Sequence, residues 1–225
     1  MTEREPVRTF ECDAILFDLD GVLVDSQAVV VRTWHEWAKE KDLDAGRILE
    51  VAHGRRPAEV VRDFAPELDA DAEARELERM ETNDLEGVLE IEGARELLSS
   101  LPADGWTVVT SGTRALASGR MEHVGLPLPD RFVSADDVEN GKPHPEAYLK
   151  GAEILGVSPE ACVVVEDAPS GVSSARSAGM RVFAVATTYR EDDLHEADAV
   201  VASLTGVQAT LQSGSGLRFE LRVMG

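Results

Sequence analysis

The sequence predicts an α/β protein: a doubly wound parallel sheet with a helical segment inserted after its first strand. Three observations carry this. Short apolar runs recur at Ala14–Phe17, 107–110, 162–165, 182–185 and Ala199–Val201, with helical patterns between them, as in a parallel sheet covered on both faces. The first run ends at Asp18-Leu19-Asp20-Gly21, with two carboxylates and a turn glycine at one strand end. Between residue 26 and residue 90 no convincing strand occurs, a stretch of about 65 residues that is far longer than an ordinary crossover needs.

The first run is apolar throughout, as a strand buried on both faces should be. Side chains at i and i+2 of a strand point the same way, so Asp18 and Asp20 should project together from its carboxyl end. Ligands bind at that edge in open α/β sheets. Two carboxylates there repel each other unless a cation or a phosphoryl group accounts for them. An EF-hand is excluded by spacing, because Gly21 stands fourth from Asp18 rather than sixth.

The insert reads as three or four helical stretches, at 27–41, Ala45–Ala52, 58–64 and 70–85, the first preceded by Ser26. Following directly on the paired aspartates, they are expected to form a lid over the site. The expected organisation is a core of 1–25 and 93–225 with a helical cap at 26–92. After the second run, Ser111-Gly112-Thr113 places a hydroxyl and backbone amides at a helix start, either as an anion site or as a helix cap. A short strand at 132–134 follows. Lys142, one of only four lysines, is wedged in Asn140-Gly141-Lys142-Pro143, where a point charge for phosphate would be held still. Pro145 opens a helix that stops at Gly156. The run at 162–165 ends in Glu166-Asp167, a second acidic strand end. Ser173 or Ser174 precedes a helical stretch at 175–178 that stops at Gly179. The tail holds a flexible link at 213–216, then a last edge strand at 217–223.

Four carboxylates around one point call for a cation, and oxygen donors beside a phosphate suit magnesium. Composition narrows the partners. The net charge of −21 argues against nucleic acid and anionic membranes. An anionic substrate must therefore be drawn in by a local cluster of cations. No apolar run is long enough to span a bilayer, and the charged N-terminal segment lacks a secretory signal's apolar core. Cys12 and Cys162 both sit beside apolar runs and read as buried thiols, in keeping with a reducing cytoplasm. A monomer is expected.

These residues resemble the four motifs of the haloacid dehalogenase superfamily. Asp18-Leu19-Asp20-Gly21 is similar to the first motif, Ser111 to the second, Lys142 in Gly-Lys-Pro to the third and Glu166-Asp167 to the fourth, in order, over about residues 12 to 205. The insert resembles the small helical cap of the sugar-phosphatase and β-phosphoglucomutase-like branch. Ala52-His53-Gly54-Arg55-Arg56 and Phe64-Ala65-Pro66 look like the caps of phosphatases of 2-deoxyglucose 6-phosphate and glycerol phosphate. One departure is Glu92-Gly93, where such caps carry Pro-Gly at the second linker.

The resemblance implies a magnesium-dependent phosphatase acting on a small phosphorylated sugar or polyol. Asp18 would be the nucleophile and form an aspartyl phosphate, and Asp20 the general acid and base. Ser111, the Gly112 amide and Lys142 would hold the phosphoryl oxygens. The Asp18 carboxylate, the Asp20 carbonyl and Asp167 would hold magnesium, with Glu166 joining directly or supporting them from behind. His53, Arg55 and Arg56 would select the substrate. A phosphomutase on the same core is the nearest alternative. An inactive phosphometabolite-binding or interaction protein is the alternative of another class. Dehalogenation is disfavoured, because that branch lacks the second aspartate of the first motif and Asp20 is present here.

Overall fold

The structure is a computed structural model that describes residues 8–212 and 219–223. Ten strands and eight α-helices follow one another: β1 (Arg8–Cys12), β2 (Ala14–Phe17), β3 (Val24–Asp25), α1 (Gln27–Glu40), α2 (Ala45–Ala52), α3 (Pro57–Phe64), α4 (Ala70–Asn83), β4 (Leu89–Glu90), α5 (Ala94–Ser99), β5 (Trp106–Val108), α6 (Arg114–Val124), α7 (Glu146–Leu155), β6 (Cys162–Glu166), α8 (Pro169–Ser177), β7 (Arg181–Val185), β8 (Ala199–Val201), β9 (Val207–Leu211) and β10 (Phe219–Val223).

The central sheet has the order β5-β2-β6-β7-β8 and is parallel throughout, with Phe17 beside Val108 on one side and Val165 on the other. Its strands alternate residues between two apolar layers. Ile15, Phe17, Val163, Val165, Phe183 and Val185 join one layer with Leu97 of α5 and Met121 of α6. Ala14, Leu16, Val164, Val182 and Ala184 join the other with Tyr148 of α7 and Val172 of α8. This is why the strand runs are apolar at every position rather than at alternate ones. The doubly wound sheet expected from the sequence is what forms.

Helices α1 to α4 pack on one another around a third apolar cluster built on Trp34, Trp37, Ile48, Val60, Val61 and Leu77. Asp44 caps α2 and Asp69 caps α4, each carboxylate accepting two backbone amides. Proline opens α3 at its first turn. The two connections to the central sheet lie side by side, Val24 facing Glu90 and Asp25 facing Leu89 in an antiparallel pair. Gly93, just beyond, adopts φ 91°, and a Cβ there would fall 2.7 Å from the Thr205 amide nitrogen. That close approach requires glycine.

Several local expectations change. The tail strand is no edge: β10 lies between β1 and β9 in a separate antiparallel sheet. Exposed, alternating residues of β1 (exposed Arg8, Thr9 and Glu11; buried Phe10 and Cys12) hid that strand from a search for apolar runs. The link at 213–216 lies outside the described residues. Helix α8 starts at Pro169 rather than after Ser173, because proline fixes φ at the first helical turn while Ser174 is buried inside the helix. The segment at 132–134 contributes only a single bridge, Val133 to Val109, at the edge beyond β5. Cys12 and Cys162 are buried free thiols, and burial pushes both up to about 12. Among the described residues no helix is long and apolar enough to cross a membrane.

Candidate active site

The carboxyl ends of β2, β5 and β6 converge where the sequence places its chemistry. Asp18 follows β2 directly and is buried. Its Oδ1 accepts from Lys142 Nζ at 2.8 Å, and the same ammonium donates to Glu166 Oε1 at 2.7 Å and to the Val109 carbonyl at 3.2 Å. All three ammonium donors are thus used inside the protein. Burial alone would lower the Lys142 pKa, but the Asp18 and Glu166 charges more than reverse this and raise it. Glu146 holds the loop that precedes the lysine. It accepts the Glu139 and Asn140 amides at 2.8 and 3.0 Å and the Asn140 side chain at 2.8 Å, which pull its carboxyl down to about 2.

Glu166 ends β6 and has both oxygens occupied. Oε1 accepts from Lys142 and, at 2.6 Å, from the Tyr148 hydroxyl, while Oε2 accepts the Asp167 and Ala168 amides at 3.0 and 3.1 Å. A Cβ on Gly171 would fall 1.7 Å from Glu166 Oε1, so glycine is needed where α8 passes this carboxylate. Asp167 is buried beside it and accepts a hydrogen bond from the Thr188 side chain. Gly21 of the first motif has φ 83°, and a Cβ there would fall 1.9 Å from Asp167 Oδ2. The glycine of Asp-x-Asp-Gly therefore serves two demands, a left-handed turn and room for the fourth motif's carboxylate.

One ligand atom from each of Asp18, Glu166 and Asp167 lies within 4.8 Å of the others. Burial, with the Glu166 and Asp20 charges adding to it against Lys142, raises Asp18 to about 7; burial and the Glu166 and Asp18 charges raise Asp167 as well. One lysine does not neutralise three buried carboxylates. Oxygen-only donors short of positive charge fit a hard divalent cation.

Asp20 stands across the same cavity. Its Oδ1 accepts from the Ser26 hydroxyl at 2.7 Å and from Arg120 Nη1 at 2.7 Å. Ser26 therefore precedes α1 as expected but uses its hydroxyl on Asp20 instead of capping the helix. Arg120, from α6, also donates to Glu81 of α4 at 2.5 Å. Ser111 is likewise free of capping duty, because Thr113 caps α6. Ser111 instead donates to the Gly54 carbonyl at 2.9 Å, and the Gly112 amide donates to Thr110 Oγ1 at 3.0 Å.

The helical insert closes over this edge. A cavity of about 80 Å³ is lined by Asp18, Asp20, Ser111 and Gly112 from below and by Val30, Trp34, His53, Arg55 and Glu81 from above, with Ser26, Leu116 and Arg120 at its sides. His53 Nε2 is buried without a hydrogen-bond partner, and burial lowers the histidine pKa. Arg55 pairs with Asp63 at 2.9 Å. Arg56 does not line this cavity. It donates to the Glu139, Ala135 and Val138 carbonyls at 2.9, 3.2 and 2.7 Å, tying the insert to the loop before Lys142.

Every core residue singled out from the sequence thus gathers at one sheet edge. Sequence reasoning missed Arg120, Glu81, Tyr148 and Thr188. Thr188 had a signal, since it follows the apolar run at 182–185 as the other motifs follow theirs. The other three lie inside helices and carry none.

The family model for haloacid dehalogenase-like hydrolases matches residues 15–185. Hexitol phosphatase A of Escherichia coli (strain K12) is 43% identical over 206 residues, covering 89% of this chain and 95% of the relative. Glycerol-1-phosphate phosphohydrolase 2 of Saccharomyces cerevisiae is 37% identical over 200 residues, covering 84% and 80%. Among solved structures, the β-phosphoglucomutase of Clostridium difficile shares the fold with a TM-score of 0.74 at 24% identity, covering 86% of this chain and 92% of the other. The chain belongs to the haloacid dehalogenase-like hydrolase family.

Proposed function

We propose that this chain is a magnesium-dependent phosphatase that hydrolyses the monophosphate ester of a small sugar or polyol through an aspartyl phosphate on Asp18, with residues 26–92 as the cap and 1–25 and 93–225 as the core. The observation that carries the reading is the pairing of a buried Asp18, held by Lys142, with Asp20 across a cavity roofed by the insert. The relatives named for hexitol and glycerol 1-phosphate support the substrate class.

Asp18 attacks phosphorus, and the ester P–O bond breaks. The leaving alkoxide takes a proton from Asp20. Asp20, now a carboxylate, takes a proton from the water that attacks the acyl phosphate. The bond to Asp18 breaks, and inorganic phosphate leaves. Ser111, the Gly112 amide and Lys142 bind the phosphoryl oxygens, which requires Ser111 and Gly112 to exchange their partners Gly54 and Thr110 for phosphate and Lys142 to release one of Asp18, Val109 and Glu166. Asp18, Asp167 and the Asp20 carbonyl would hold magnesium, which supplies positive charge against the developing charge of the phosphoryl group. Glu166, with both oxygens occupied, would act by holding Lys142 and the Asp167 backbone in place. His53 and Arg55 face the leaving group. The cavity's mixture of apolar (Val30, Trp34, Leu116) and polar (Ser26, His53) walls suits a carbon chain bearing hydroxyls.

Acid-quenching the enzyme during turnover of ³²P-labelled glycerol phosphate or hexitol phosphate tests this. The label should be protein-bound, released by hydroxylamine as an acyl phosphate is, and absent in Asp18→Asn. Steady release of phosphate by Asp18→Asn would overturn the reading. Isomerisation of a sugar phosphate without phosphate release would favour the mutase.

A further inference from the structure

We propose that Arg120 and Glu81 are positioning residues for Asp20, so that proton transfer to the leaving group depends on the insert supplying the Glu81 carboxylate. This rests on the reading of Asp20 as the general acid. Arg120 belongs to α6 of the core yet is only 2% exposed. Its two terminal nitrogens serve two elements: Nη1 donates to Asp20 Oδ1 at 2.7 Å, and Nη2 donates to Glu81 Oε2 at 2.5 Å. A guanidinium is a planar fork, so fixing one nitrogen fixes the direction of the other. Glu81, itself buried, therefore sets the angle at which Arg120 meets Asp20.

Ser26 donates to the same Asp20 oxygen at 2.7 Å. Two donors on Oδ1 fix the rotation of the carboxyl group and turn its other oxygen away from them. Ser26 directly precedes α1 and Glu81 sits on α4, so two of the groups that orient Asp20, one directly and one through Arg120, come from the insert. Displacing the insert would remove both together. Asp20 would then lose its aim while Asp18, Lys142 and Glu166 kept theirs, because that trio lies within the core.

The test separates aim from fold. Ethyl phosphate and trifluoroethyl phosphate are similar in size but differ in how much their leaving groups need a proton. The kcat/KM of each reports the step that forms the aspartyl phosphate. Glu81→Gln should lower kcat/KM for ethyl phosphate by about tenfold or more and for trifluoroethyl phosphate by less than about threefold. Arg120→Lys, which keeps the charge and loses the fork, should show the same selective loss. Equal losses on both esters, or none, would overturn the proposal, as would wild-type behaviour of Arg120→Lys. Glu81→Asp, shorter by one methylene, replaces Glu81→Gln in the same comparison if thermal melting shows the amide variant unfolded. Asp20→Asn run alongside distinguishes the two failures. If it shows no selective loss, the general-acid assignment is wrong; if it does while the Glu81 and Arg120 variants do not, only the coupling is wrong.

Discussion

Lys142 Nζ stands 2.8 Å from Asp18 Oδ1, although 124 residues separate them in the chain. The lysine is almost completely enclosed and touches Glu166 as well. One ammonium thereby joins the ends of two strands, and the local charge balance depends on it.

Removing that ammonium should cost stability as well as activity. Lys142→Met leaves Asp18 and Glu166 buried without their shared partner, a loss of about 3–5 kcal/mol where a buried pair is broken. Urea unfolding should show a lower midpoint with an unchanged slope, and phosphate release should cease. A variant as stable as the parent would mean that the carboxylates are neutralised in another way.

Magnesium should stabilise the protein more at higher pH. Asp18 is raised to about 7 and Asp167 is raised too, so each favours its protonated form in the folded, metal-free protein. A carboxyl with a raised folded pKa contributes stability below its unfolded value, near 4, and loses that contribution as pH climbs through the folded value. Magnesium binds the ionised forms and releases their protons. The rise in Tm on adding magnesium should therefore be small at about pH 5 and grow toward about pH 8. A metal effect that is flat across that range would separate these carboxylates from the metal.

Gly21→Ala should impair metal binding. A side chain there meets Asp167 Oδ2 at 1.9 Å and sits on a φ of 83°. The strained backbone alone costs about 1–2 kcal/mol, and relief of the clash moves Asp167. Calorimetric titration with magnesium should show affinity lowered by about tenfold or more. Unchanged affinity would place the metal away from Asp167.

Arg56→Ala should lower kcat/KM for p-nitrophenyl phosphate and for a polyol phosphate by similar factors. The arginine donates to three core carbonyls and lies outside the cavity, so its loss loosens the insert without touching the leaving group. Arg55, which lines the cavity, should behave differently: Arg55→Ala should raise KM for the polyol ester more than for the aryl ester. The reverse pattern would exchange the two roles.

What was legible in the sequence is what short-range rules govern. A strand buried on both faces must be apolar throughout, and Ala14–Phe17 and 162–165 show this. Helix starts and stops follow from local backbone chemistry, so α2, α7 and the four-helix insert were readable to within a few residues. Ligands collect at the carboxyl ends of parallel strands, so Asp18, Ser111, Lys142, Glu166 and Asp167 could be named from the residues that follow each run.

What the sequence by itself determined is therefore the fold class, the chain order of the central parallel strands and the residues gathered at their ends, because each follows from neighbours within a few positions. Only the tertiary structure decided which side chains share an oxygen. Ser26 was free to cap its helix or bond Asp20, and it bonds Asp20. Arg56 was a candidate for substrate and is spent on core carbonyls. Arg120 and Glu81, 39 residues apart on different helices, had no local mark at all. A buried charge must find its partner in space, and that partner is set by how the insert seats on the core rather than by anything within reach along the chain.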